Sequence, residues 1–195
     1  MDPFASPHKI DPQLRLLLGE ASGNLCNWFA QSGSNGPLPD SFTMPEIAPQ
    51  LDGLSNKDLL ADLQLVMDGS YRPSHPGALA HLDPPPLTAS ILGELICAGL
   101  NNNLLAEELS PSLSSLERQI CEWFCRKFGL KTGSGGVAAS GGSLSNLMAL
   151  VIARHQAGLE NDPSAVFFAS DDSHVSLSKA IRIMGLNKDA LQRIP

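Results

Sequence analysis

The sequence predicts an α/β fold in which a helical N-terminal segment, residues 1–105, leads into the beginning of a layered domain with parallel strands, residues 106–195. Two observations carry this. Up to about residue 130, apolar residues recur at helical spacing between proline-rich and glycine-rich connectors. Beyond it, a glycine turn with its helix, the run SAVFFAS, a helix over 175–184 and the run LQRI alternate as helix, strand, helix, strand, the rhythm of a parallel α/β layer. One strand and the start of another do not complete a sheet, so the domain is expected to be incomplete within these 195 residues.

Taking the elements in order, Asp11-Pro12 is a cap followed by a first-turn proline, and Leu14, Leu17, Leu18, Ala21, Leu25 and Trp28 continue an apolar stripe to a helix end near Gln31. A connector rich in Gly, Pro and Ser follows. Ser55 then caps a helix through about Met67, with Asp58 in its first turn. Residues 71–86 hold too many prolines for regular structure and predict an ordered, irregular loop. Residues 87–101 form an apolar helix. Ser110-Pro111 opens another, with Leu116, Ile120, Trp123, Phe124 and Phe128 expected to face inward before Gly129 stops it. SAVFFAS is expected to be a short buried strand.

Composition excludes several classes of function. With 43% hydrophobic and 17% charged residues the chain is that of a globular protein. A net charge of −7 and the lack of a basic stripe argue against a nucleic-acid partner. The opening MDPFASPHKI has no basic stretch followed by an apolar one, and no run of about 18 apolar residues occurs, so the expectation is a cytoplasmic protein without a membrane partner. Cys26, Cys97, Cys121 and Cys125 read as buried small hydrophobes; Cys121 and Cys125, at i and i+4, have no His or Cys-x-x-Cys partner, and no metal is expected.

The chemistry concentrates in two stretches. In GVAASGGSLSNLMAL, residues 136–150, Gly141 and Gly142 are expected to take positive φ and let a ligand approach the main chain, and Ser143 to cap the following helix. A helix start of this kind suits a phosphate; a glycine turn capped by its own serine, with nothing bound, reads the same residues equally well. In ASDDSHVSLSKA, His174 follows the carboxyl end of an apolar strand at 164–168, where α/β sheets bind ligands; a solvated or helix-capping histidine is the alternative. The match of Gly133–Ala138 to a dinucleotide fingerprint lacks the preceding strand and the directly following helix, and no P-loop occurs. His75 and His81 flank the proline-rich loop at a spacing that fits no single face, leaving substrate contact as their one candidate role. His8 and His155 read as surface residues.

HPGALAHLDPPPL, LSPSLSSLERQICEWFCRKFGL, GVAASGGSLSNLMALVIAR and ASDDSHVSLSKAIRIMGLN, in this order and spacing, together resemble the pyridoxal-5′-phosphate-dependent amino-acid decarboxylases that include the aromatic-L-amino-acid, glutamate, histidine and diaminobutyrate enzymes. The resemblance covers roughly residues 55–195. It implies the first part of a fold-type I pyridoxal-phosphate enzyme large domain, a mostly parallel sheet with flanking helices. It implies that Gly142 and Ser143 hold the cofactor phosphate and that His174 stacks on the pyridine ring. It also implies that the loop at His81, Leu82 and Pro84 contributes to the pocket for an amino-acid substrate across a homodimer interface.

In that family the aspartate that protonates the pyridine nitrogen and the lysine that bonds to the cofactor lie downstream of the His174 region. Lys9, Lys57, Lys127, Lys131, Lys179 and Lys188 match no such lysine motif, and Lys179 reads as a solvated helix residue. The expectation is therefore an N-terminal portion of a decarboxylase, inactive by itself. The alternative is a non-catalytic relative or shortened product whose helical arm serves dimerisation or phosphate binding.

Overall fold

A computed structural model of the chain describes residues 4–49, 51–79 and 82–195. The helices are α1 (Pro12–Ala30), α2 (Asn56–Asp68), α3 (Thr88–Leu100), α4 (Pro111–Lys127), α5 (Gly142–Gln156) and α6 (Ser176–Ile183), and the strands are β1 (Phe167–Ser170) and β2 (Leu191–Ile194). The chain divides into two compact units, Met1–Asn101 and Asn102–Pro195.

In the first unit α1 starts where the Asp11 carboxylate accepts the N–H groups of Gln13 and Leu14, at 2.9 and 3.0 Å, satisfying donors that a helix start leaves unpaired. At α2 the Ser55 hydroxyl accepts the Asp58 N–H at 3.1 Å and donates to the Asp58 carboxylate at 2.6 Å. The two helices pack together. Trp28 is buried on α1, and the buried Arg72 guanidinium stands 5.2 Å over its ring, a cation–π contact that fastens the segment after α2 to α1. The Arg72 N–H also donates to Pro37 O at 2.9 Å. α3 ends on left-handed Asn101 and buries none of its residues.

In the second unit α4 ends at Gly129, which has φ of +70°, and the Leu130 N–H reaches back to Cys125 O, the terminal pattern that a left-handed glycine permits. Farther back on α4, Glu117 accepts the Ala138 N–H at 2.7 Å and holds the extended segment that leads to α5. β1 and β2 pair in parallel, Phe167 beside Leu191 and Ser170 beside Ile194. Parallel strands require a crossover, and α6 supplies it. Beneath α6 lies the core: Ala165, Ile181, Leu186 and Ala190, with Leu159, Phe167, Met184 and Leu191 against it. α5 packs on α6, and Arg154 ties the two ends by donating to the carbonyls of Leu159, Asp162 and Met184.

Several expectations about burial fail. Leu116, Ile120, Trp123, Phe124 and Phe128 do not face inward; they stand 46 to 76% exposed, while their helix neighbour Cys125 is buried. β1 begins at Phe167 rather than residue 164 and is not buried on both faces, since Phe168 is 71% exposed. Cys26 and Cys97 are exposed. Within the second unit the two-stranded sheet covers one side of α6, and the apolar residues of α4 stay exposed.

Two measurements test this packing. Trp28→Ala should destabilise the first unit by about 3 kcal/mol or more, read as a shift in its denaturant midpoint, because it opens a cavity and removes the ring under Arg72. The Ser164 hydroxyl, then its N–H, hold the Asp162 carboxyl below its ordinary value. A carboxyl depressed in the folded state stabilises above its unfolded value and loses that contribution as pH falls through the folded one. Thermal midpoints between neutral pH and pH below about 4 should therefore fall less steeply in Ser164→Ala than in the parent chain.

Candidate functional site

The first turn of α5 departs from the expectation in a way that sharpens it. Gly141 is the N-cap, with φ of 163°, an extended backbone that any residue adopts, and Gly142 is already helical. Neither glycine takes left-handed φ. A Cβ at either one would meet nothing within 4 Å, so neither the backbone angles nor neighbouring atoms require glycine at these two positions, and glycine in a helix costs stability. Ser143 is not the cap: it sits in the first turn, no side chain caps α5, and its hydroxyl has no partner among the described residues. The first intrahelical bond is Ser145 N–H to Gly141 O, so the exposed N–H groups of Gly142, Ser143 and Leu144 remain open at the positive end of the helix.

His174 stands four residues beyond Ser170, the end of β1. Its ring is fixed from the start of α6: Nδ1 lies 2.9 Å from the Ser176 hydroxyl and accepts the Ser176 N–H at 3.2 Å. The Asn146 amide, on α5, donates to that hydroxyl at 2.7 Å. The structure thus joins the helix that carries Gly142 and Ser143 to the loop that carries His174, within one unit.

Arg193 on β2 holds the same loop from the other side. Its guanidinium donates to the carbonyls of Ser170 and Asp171 at 2.9 and 3.3 Å, to the Ser173 hydroxyl at 2.6 Å and to the Ser178 hydroxyl at 3.0 Å. Asn146, Ser176, Arg193 and Glu117 escaped the sequence reading. A serine two residues after His174 and an arginine at a strand end were the available signals, but neither names its partner.

Leu82 and Pro84 belong to the first unit, on an exposed extended segment before α3. His81 lies outside the described residues. Lys179 is exposed on α6. A cavity of about 470 Å³ between α4 and the 130–136 turn is lined by Arg118, Glu122, Arg126 and Lys131 among others, and not by Gly142, Ser143 or His174. Gly142, Ser143 and His174 are exposed.

Residues 43–195 match the family model described as the pyridoxal-dependent decarboxylase conserved domain. The chain belongs to the pyridoxal-dependent decarboxylase family. Pyridoxal 5′-phosphate is accordingly its cofactor. Among relatives, an L-2,4-diaminobutyrate decarboxylase of Acinetobacter baumannii is 25% identical, over 91% of this chain and 39% of that protein. The crystal structure of the glutamate decarboxylase domain of a Vibrio parahaemolyticus diaminobutyrate-pyruvate transaminase and L-2,4-diaminobutyrate decarboxylase superposes with a TM-score of 0.86 at 22% identity, over 98% of this chain and 45% of that one. Oryza sativa TDC with PLP and tryptamine superposes with a TM-score of 0.81 at 21% identity, again over 98% and 45%. These likenesses establish the fold, and the chain spans about a third of the length of the curated relatives it matches.

Replacing Arg193 tests its hold on the loop. In Arg193→Ala the amides of Asp171 and Ser173 should exchange hydrogen roughly tenfold faster, as several charge-assisted bonds are lost together. Arg193→Lys should recover little, because one ammonium does not span the same four acceptors.

Proposed function

We propose that the whole protein is a pyridoxal-phosphate-dependent carboxy-lyase acting on an L-amino acid, and that residues 142–176 form its phosphate and ring contacts. The observation that carries this is the open first turn of α5 hydrogen-bonded, through Asn146 and Ser176, to the loop of His174. In this reading the cofactor phosphate is held by the N–H groups of Gly142 and Ser143 and by the Ser143 hydroxyl, which fit a phosphate as unpaired donors at a helix start. His174 stacks on the pyridine ring and is the catalytic residue of this region.

When bound, the cofactor supplies an electron sink for the pair left at Cα as the carboxylate departs as carbon dioxide. The residues of this chain bind and orient; charge at the phosphate is met by the dipole of α5. The segment at His81, Leu82 and Pro84 contributes to the substrate pocket from across a homodimer, and the exposed apolar faces of α1, α3 and α4 support such an interface. We further assign the chain to the fold-type I architecture and to the cytoplasm; among the described residues no helix is long and apolar enough to cross a membrane. None of the six lysines carries the family's lysine motif, so the 195-residue chain does not decarboxylate by itself.

The test is titration of the chain with pyridoxal 5′-phosphate, followed by its absorbance, with and without borohydride. Reversible binding weakened about tenfold in Ser143→Ala and no reduced pyridoxyl group on any lysine are expected. Unaltered affinity in Ser143→Ala would refute the phosphate assignment, and a single modified lysine would refute the account of inactivity.

A further inference from the structure

We infer that Ser176 and Asn146 are positioning residues for His174: they hold its imidazole as the Nε2–H tautomer and thereby set the ring for the contact assigned to it above. Only the purpose of the hold rests on the cofactor reading; the hold itself rests on hydrogen-bond direction. A backbone N–H has no acceptor capacity, so the 3.2 Å contact from Ser176 N–H makes His174 Nδ1 an acceptor. In the neutral ring the proton then resides on Nε2. The Asn146 amide donates to the Ser176 hydroxyl oxygen at 2.7 Å, which leaves the hydroxyl proton to point at Nδ1, 2.9 Å away.

Direction therefore runs one way along the chain, from Asn146 to Ser176 to His174. Ser176 is 2% exposed, so water does not compete for its hydroxyl, and buried hydrogen bonds of this kind restrict geometry more than solvated ones. His174 is itself exposed, and among the described residues no hydrogen bond occupies its Nε2. Helix α5 thus contributes to both halves of the site: its first turn offers the phosphate donors, and its next turn sets the ring tautomer.

The ring nitrogens report this directly. In the full chain labelled with ¹⁵N-histidine, without cofactor, His174 is assigned by its loss in His174→Gln. Its Nε2 should carry the proton and its Nδ1 should not. Ser176→Ala keeps the backbone N–H on Nδ1 and loses only the hydroxyl, so the fraction with a protonated Nδ1 should rise by about threefold rather than become dominant. Asn146→Asp should do the same at nearly constant size, because a carboxylate accepts the hydroxyl proton and turns it away from Nδ1. Ser176→Thr keeps the hydroxyl and should keep the parent pattern.

A merely structural role predicts equal ring nitrogens in every variant that retains its dispersed amide spectrum. That result, or an Nδ1–H ring in the parent chain, overturns the inference; if Ser176→Ala does not fold, Asn146→Asp and Ser176→Thr decide it. Because the ring is read without cofactor, a chain that binds no pyridoxal 5′-phosphate refutes the function proposed above and not the hold on His174.

Discussion

Burial of Ile181 beneath the crossover from β1 to β2 is the constraint on which the second unit depends. Two parallel strands cannot be joined by a tight turn, so the chain between them must leave the sheet, cross it and return. α6 makes that crossing by placing Ile181, 1% exposed, on Ala165, Leu186 and Ala190. Once α6 is seated, the connection from β1 must turn at the carboxyl end of the strand. His174 lies in that turn, and Ser176 at the first position of the helix. The position of His174 is a consequence of the crossover.

Hydrophobic burial fixes which layer a helix joins, but it does not fix the azimuth of a polar side chain. That is done by directional bonds from three side chains. Arg154 holds the end of α5 to the turn after α6, Arg193 gathers the carbonyls of the β1 turn, and Asn146 links α5 to Ser176. Two of the three are arginines whose acceptors are backbone carbonyls and, for Arg193, serine hydroxyls as well, rather than carboxylates. A guanidinium offers five donors in a fixed plane, which suits the converging carbonyls of a loop.

The apolar face of α4 follows from the same economy of layers within the second unit. That helix carries the apolar periodicity that would seat it on a partner, yet β1 and β2 seat α6. α4 shows the outcome clearly: Cys125 is buried, while Trp123 and Phe124 on the same helix remain 47 and 48% exposed. The Trp123 and Phe124 rings meet edge-on at 4.9 Å between centroids, and Phe124 stacks on Phe128 at 6.2 Å.

The sequence by itself determined the elements and the family. Asp11, Ser55, Pro111 and Gly129 mark helix ends because caps, first-turn prolines and left-handed glycines act within a few residues, and local physics is legible in a local string. The alternation of helix and strand after residue 130, and the order of four motifs, were legible for the same reason. Only the tertiary structure decided what surrounds them. Inward-facing apolar residues on α4 and a buried β1 were expected from pattern alone, but burial depends on a covering layer that no local pattern contains. The glycines at 141 and 142 proved unnecessary for backbone angle, which the sequence pattern could not show. Asn146 and Ser176 are thirty residues apart, and their meeting depends on how α5 lies against α6.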